Sequence, residues 1–474
     1  MSFDSPSFWL FLPAALAAWR FLPFAAAKLC LLIASLGFYA WWDVRFVGLI
    51  AVSSIVDFAV GARLARTAGQ GARRALLLVS LTVNLGLLAV FKYTPFAARS
   101  FASLTGGELQ SWAFADWIIP VGISFYTFQT LSYTIDIYRG QLEPAPRFTD
   151  FFLYVAFFPQ LVAGPIVRAR QLLPQLERRC TPSLQRIELG VYRIVQGLFL
   201  KMCVADVVAP AVGRAFDPDA IASLSTLAAW TGAVLFGVQI FADFAGYSGI
   251  AIGIAMLLGL RFPENFRAPY IARGLSEFWT RWHITLSQWL RDYLYVPLGG
   301  NRGGGLFTSR NLLLTMLLGG LWHGAAWTFV VWGALHGIGL VVERAARSAL
   351  GLPRAPGRPR GLVGGLRAAL AMGVTFAFVH VCWVFFRAET FADAWAFVGR
   401  MFAFAPAAEG APAWEWRFLL ASLPVALMHG AQLVREWFGV RTTGYVRALS
   451  VGVMVFLLVV LHRAERPDFI YFQF

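Results

Sequence analysis

Long stretches almost without charge limit what this chain can fold into more than any other feature. Leu29 to Trp42, Val47 to Ala62, Leu76 to Phe91, Leu224 to Leu260 and Val451 to Leu461 are the clearest of them. A helix crossing a bilayer core needs roughly 20 apolar residues at about 1.5 Å rise each, so the chain holds material for about ten to twelve crossings or re-entrant pieces. Inside hydrocarbon the backbone must satisfy its own hydrogen bonds, which makes helices the expected structure. Composition agrees: 58% of the 474 residues are hydrophobic and 14% charged, where an ordinary soluble domain carries about 25% charged residues. The expected fold class is therefore all-α, a polytopic integral membrane protein whose first partner is the lipid bilayer.

Phe8 to Ala18, with Ala15-Leu16-Ala17, imitates a secretory leader, but Asp4 precedes it and no Lys or Arg does. Without a basic n-region it reads as a retained membrane segment. The net charge of +15 sits in short loops between apolar runs rather than on a polar domain, so it signals topology and not nucleic acid. Three clusters stand out: Arg63, Arg66, Arg73 and Arg74; Arg168, Arg170, Arg178 and Arg179; and Arg344, Arg347, Arg354, Arg358, Arg360 and Arg367. The positive-inside rule places all three toward the cytoplasm, beside anionic headgroups. Cys30, Cys180, Cys203 and Cys382 lack metal or redox spacing, and no metal site is expected.

No linker and no fixed-period repeat divides the chain, so residues 1–474 read as one membrane domain. The Pro- and Arg-containing loop Gly351 to Gly365 separates a larger N-terminal portion from C-terminal helices over about 366–462, which include the short loop Ala405 to Ala413. One region breaks the apolar pattern. Arg261 to Arg310 holds eleven charged or histidine side chains interleaved with Trp279, Trp282, Trp289, Tyr293 and Tyr295, a mixture suited to the interface or to a re-entrant helix lining a wet cavity. Pro297 and the glycines from Gly299 to Gly305 end it. The following apolar segment, Leu312 to Val342, would span about 46 Å as one helix. A break is expected, with Gly319-Gly320 just before Trp322-His323 as its natural place.

An ionisable residue at membrane depth is a functional hypothesis by default, which singles out His283 and His323. The alternative for each is a hydrogen bond to a neighbouring helix and nothing more. His336 lies thirteen residues after His323, about 220° around an ideal helix, and reads as a packing or polar-contact residue. His380, His429 and His462 read as structural. The carboxylates Asp57, Asp136 and Asp243 are expected to pair with arginines or cap broken helices.

Phe278-Trp279-Thr280-Arg281-Trp282-His283-Ile284-Thr285-Leu286-Ser287, continuing through Trp289-Leu290-Arg291-Asp292-Tyr293 to Pro297-Leu298-Gly299-Gly300-Asn301-Arg302, resembles the signature of the membrane-bound O-acyltransferase superfamily. The likeness is strongest to its bacterial branch that O-acetylates alginate and related polysaccharides. Gly122 to Gln129, Phe158 to Ile166 and Leu318 to Gly324 match further motifs, and the resemblance covers a core of about 37–345. It implies roughly ten to twelve transmembrane or re-entrant helices around a central polar funnel or tunnel. It also implies His323 as the catalytic histidine and His283 as the second polar residue of the site. A neutral imidazole with a pKa near about 6.5 can take a proton from an acceptor hydroxyl. His283 would orient donor or acceptor, or stabilise charge on a thioester carbonyl oxygen. Trp279, Arg281, Trp282 and Gln129, which lie in these motif segments, and Tyr247 of the segment Phe244 to Ser248 are the expected substrate-binding residues. Relatives commonly carry Asp after the Tyr-Ser of Phe244-Ala245-Gly246-Tyr247-Ser248, where this chain has Gly249.

The activity implied is transfer of an acetyl group from a cytoplasmic donor, acetyl-CoA, across the bacterial inner membrane to an extracytoplasmic polysaccharide such as alginate, with no bound cofactor. Implied partners are a periplasmic SGNH-type acetyltransferase or exopolysaccharide-modification complex, and an acyl donor protein. The segment 469–474, Phe-Ile-Tyr-Phe-Gln-Phe, resembles a terminal motif of this branch; Tyr471 is either an interfacial anchor or a hydroxyl that relays the acyl group. Competing readings are D-alanyl or other acyl transfer, a proton-coupled transporter and a structural scaffold. A transporter would show mirrored halves, and the polar signature occurs once.

Overall fold

The structure is a computed structural model that describes residues 1–106, 120–353, 357–406, 416–440 and 444–461. Every regular element among the described residues is helical. Seven helices are long and apolar enough to cross a membrane: Arg45–Arg66, Gln70–Thr105, Leu184–Ala215, Thr226–Leu257, Trp327–Ala349, Gly361–Arg387 and Phe418–Phe438. Phe24–Ala40 and Gly444–Val460 are shorter apolar helices. The chain is a multi-pass membrane protein. Lipid as solvent also explains the outward faces: the Gly361–Arg387 helix leaves Leu362, Leu366, Leu370 and Val374 exposed while burying Val379, Cys382, Trp383 and Phe386. In water such a stripe would be an association or aggregation surface; against acyl chains it is the expected exterior.

Two compact units divide the described chain: residues 1–194 with 247–263, and residues 195–246 with 264–474. The first is organised on a buried carboxylate. Asp57, on the Arg45–Arg66 helix, accepts from the Ser80 hydroxyl, from Asn84 Nδ2 at 2.7 Å and from Thr134 Oγ1 at 3.0 Å. Three helices are thereby tied at one point. Among the described residues no arginine takes part, so of the two expectations for this carboxylate, pairing with arginine or capping a broken helix, the first does not hold; hydroxyl and amide donors satisfy it without bringing a second charge out of water. Asp136 does meet an arginine, Arg170 at 3.9 Å. In the second unit Asp243 pairs with Lys201 at 3.2 Å, and Lys201 also reaches Asp206 at 2.8 Å. The cation Asp243 finds is thus a lysine, which the sequence reading had not weighed.

The second unit contains the polar interruption. Between residues 264 and 303 the chain makes only short helical pieces, Pro269–Ile271, Leu275–Phe278, Ile284–Leu290 and Arg291–Tyr295. Prolines 269 and 297, the glycines, and positive φ at Ala268 (42°) and His283 (40°) prevent a continuous span. The expected break at Gly319-Gly320 is not where the chain bends. The helix Gly304–His323 runs straight through both glycines and stops at Gly324, and the next begins at Trp327. The glycines serve close packing instead. A Cβ on Gly320 would run into the Phe329 carbonyl and Gly333, and one on Gly333 into the Met316 carbonyl, so the two backbones touch along a small-residue seam.

Gly320→Val is therefore expected to cost roughly 1–3 kcal/mol by overpacking, whereas Gly305→Ala, with open space at its Cβ, is expected to be neutral. Survival of the monodisperse detergent-solubilised protein after heating, read by size-exclusion chromatography, distinguishes the two. Equal survival would remove the seam as a stabilising contact.

Candidate active site

The helix hairpin and the polar turn converge on two histidines. His323 is the last residue of the Gly304–His323 helix. Its ring is edge-on to Trp322 (5.0 Å between centroids), Trp332 (5.1 Å) and Phe386 (5.3 Å). His283 lies 6.3 Å away by ring centroids, with Phe244 at 4.7 Å. Both are buried, at 4% and 0% exposure.

His283 is held by its backbone and by one amide. Its left-handed φ of 40° turns the chain just before the Ile284–Leu290 helix, a conformation that costs energy in a non-glycine residue and persists only when neighbours enforce it. The neighbour is Asn265. Its carbonyl accepts from Ile284 N at 2.9 Å, and its side-chain Oδ1 accepts from Thr285 N at 3.3 Å and Thr285 Oγ1 at 2.8 Å. The Thr285 N–H can only donate, which fixes the acceptor end of the amide. His283 Nδ1, 3.2 Å from the same oxygen, therefore carries the proton, and Nε2 is the lone-pair nitrogen. Burial pushes the His283 pKa down to about 3, so the ring is neutral at ordinary pH.

The other expected residues take different places. Trp282, fully buried, stacks on Phe278 (5.8 Å, 12°) and tilts against Trp383 (4.8 Å); it anchors the turn in the core. Trp279 borders Trp332 (5.8 Å) and His336 (5.1 Å). Arg281 gives its guanidinium to Glu277 and Glu436, each at 2.7 Å, and to the Arg267 carbonyl, so its charge is spent within the protein. Gln129 and Tyr247 belong to the first unit. Gln129 is completely buried there, and Tyr247 stacks on Phe3 at 4.3 Å. Tyr471 lies outside the described residues, as do His462 and the 469–474 segment. His380 and His429 hydrogen-bond the carbonyls of Phe376 and Val425 one turn back on their own helices and flank Tyr270. His336 is buried against Trp332. No metal-binding group of His, Cys, Asp or Glu occurs among the described residues.

Sequence reasoning missed Asn265, Phe244 and Phe386. Asn265 stands eighteen residues before His283, and no periodicity links them; only its place in the polar Glu264-Asn265 pair hinted at a role.

Fold and site together define a polytopic helical membrane protein with a buried, aromatic-walled histidine pair. The profile of the membrane-bound O-acyltransferase family, MBOAT, matches residues 142–379. A probable alginate O-acetylase, AlgI, of Azotobacter vinelandii is 42% identical over 451 residues, covering 93% of this chain and 85% of the relative. A peptidoglycan O-acetyltransferase of Helicobacter pylori is 37% identical over 77% of this chain and 72% of its own. A teichoic acid D-alanyltransferase of Streptococcus thermophilus is 32% identical over 48% and 57% respectively. The chain belongs to the membrane-bound O-acyltransferase family and is an O-acyltransferase.

The low His283 pKa gives the site a pH signature. The unfolded histidine binds a proton near about 6.5, the folded one only near about 3. Between these values the unfolded state holds more protons, so the native state loses stability as pH falls through that window. His283→Gln is expected to lose less melting temperature than the parent between about pH 7.5 and about pH 5. An identical loss in both proteins would contradict the neutral burial of this ring.

Proposed function

We propose that the enzyme moves an acetyl group from a cytoplasmic thioester donor, acetyl-CoA, toward an extracytoplasmic polysaccharide such as alginate, from a multi-pass position in the bacterial inner membrane. The observation that carries the reading is the buried pair His323 and His283, 6.3 Å apart among Phe244, Trp322, Trp332 and Phe386. The acceptor hydroxyl gives its proton to the His323 imidazole as its oxygen attacks the thioester carbonyl; collapse of the tetrahedral intermediate expels the thiolate, which takes the proton back from the imidazolium. His283, with Nδ1–H committed to Asn265, presents a lone pair at Nε2. That favours orienting a donor hydrogen, on the acceptor hydroxyl or on His323, over binding an oxyanion. The aromatic walls exclude water that would hydrolyse the activated acyl group.

An acetyl rather than a D-alanyl cargo is supported by coverage. The acetylating relatives match 93% and 77% of this chain, the D-alanylating one 48%. Completion of the transfer by a periplasmic SGNH-type acetyltransferase, and relay through Tyr471, are parts of the same proposal.

His323→Ala, compared with the parent at equal membrane abundance, is expected to remove the acetyl esters from one cell-surface glycan by mass spectrometry, and that glycan is the substrate. Unchanged esters on every surface glycan would sink the reading. For the relay, Tyr471→Phe should abolish transfer and an acyl adduct should map to Tyr471; full activity without an adduct would remove it.

A further inference from the structure

Three helices of the first unit meet on oxygen. Ser53, Ser54 and Asp57 stand on Arg45–Arg66, Ser80 and Asn84 on Gln70–Thr105, and Thr130 and Thr134 on Ile123–Tyr138, the helix that opens in the Gly122 to Gln129 motif. All seven side chains are at most 1% exposed. Asp57 takes neutral donors from Ser80, Asn84 and Thr134. Asn84 Oδ1 in turn accepts from Ser53 Oγ at 2.5 Å and from Thr130 Oγ1 at 3.1 Å, so its two lone pairs are spent. Hydrogen bonds from neutral groups satisfy the lone pairs of a carboxylate but do not cancel its charge. Asp57 has no Lys, Arg or His partner among the described residues, whereas an acid at membrane depth is ordinarily matched by a group of opposite sign.

A second observation marks where the balancing charge belongs. Ser54 lies three residues before Asp57, a spacing that shares a helix face. Its hydroxyl is completely buried and has no hydrogen-bond partner, not even the carbonyl one turn back on its own helix. A buried helical hydroxyl normally donates to that carbonyl, as Ser35 and Thr315 do in this protein. Oxygen lone pairs therefore remain on this face. Ser80 and Thr134 each give their single proton to Asp57 and keep their lone pairs, and the Ser54 oxygen is untouched. A carboxylate offers about four acceptor positions, of which three are taken here.

Oxygens without nitrogen or sulfur suit a hard cation, and the charge count selects among such cations. One carboxylate balances one positive charge. Magnesium demands near-octahedral geometry and keeps its waters, and calcium takes about six to eight oxygens, more than this shell supplies. We propose that Asp57, with the hydroxyl oxygens of Ser54, Ser80 and Thr134, binds a sodium ion that neutralises the carboxylate and clamps the three helices of the first unit together.

The test uses the full chain in nanodiscs of zwitterionic phospholipid, at constant ionic strength in mixtures of sodium and N-methylglucamine chloride. Binding of radioactive sodium is followed by scintillation proximity and the melting temperature by intrinsic fluorescence. The parent is expected to bind sodium saturably and to melt higher as sodium replaces the organic cation, because an ion held only by the folded state stabilises it. Asp57→Asn keeps the shape of the side chain and should lose both responses. Thr134→Val removes one oxygen and should raise the half-saturating sodium concentration by about tenfold, the worth of one polar contact. No saturable binding by the parent overturns the proposal and leaves a proton as the neutralising charge. A sodium affinity unchanged in either variant overturns it as well. Where Asp57→Asn yields no monodisperse protein, the parent and Thr134→Val decide the matter by the same readings.

Discussion

The backbone contact between Gly320 and Gly333 is the constraint from which the site follows. Where lipid is the solvent, apolar side chains gain little by turning from lipid to protein, so helices hold together through close van der Waals approach at small residues. Here that approach joins the Gly304–His323 helix to its neighbour so tightly that a Cβ at either glycine meets backbone atoms. The hairpin closes within the three residues from Gly324 to Ala326. As a result His323 ends one helix while Trp332, little more than a turn into the next, lies against its ring. A looser hairpin would leave the imbalance of a helix C-terminus without an aromatic wall beside it.

The second histidine is placed by different means. His283 is not on a helix face; it is the left-handed residue that starts a short helix, and Asn265 ties the turn through its carbonyl and its side-chain oxygen. The same oxygen sets the tautomer. Position, strain and protonation state of one imidazole thus depend on one amide, and the ring it holds is neutral because burial disfavours the cation. Two groups of charges in this unit are held in closed sets: Arg281 with Glu277 and Glu436, and Lys201 with Asp206 and Asp243. Breaking either set would leave an uncompensated buried charge, which costs far more than the pair contributes.

Much of this was legible in the sequence, for stated physical reasons. Charge-free runs announce spanning helices because the cost of charge in lipid is large, and the interruption at Arg261 to Arg310 stood out against them for the same reason. The two histidines were conspicuous in that setting, and the structure brings them together. What failed to show was pairing across the fold. Asp57 satisfied by Ser80, Asn84 and Thr134, and Asn265 serving His283, join residues with no common period. The Gly319-Gly320 pair was misread because glycine has two uses, flexibility and thinness, and only a partner surface distinguishes them. Arg281 was conspicuous as a charge among tryptophans, but a sequence does not tell an arginine that waits for a ligand from one already bound by two glutamates.

That last distinction orders the cations of the second unit. Arg281, Lys201 and Arg347 are each matched by carboxylates and so serve the fold. Arg344, one residue beyond Glu343 on the same helix, is left over, and its charge reaches the Tyr295 phenol across a polar cavity that both residues line, where burial still dominates and keeps that hydroxyl protonated as a donor. Arg344 thus faces the polar cavity with no carboxylate partner among the described residues. The helix bearing that guanidinium also carries Trp332 against His323.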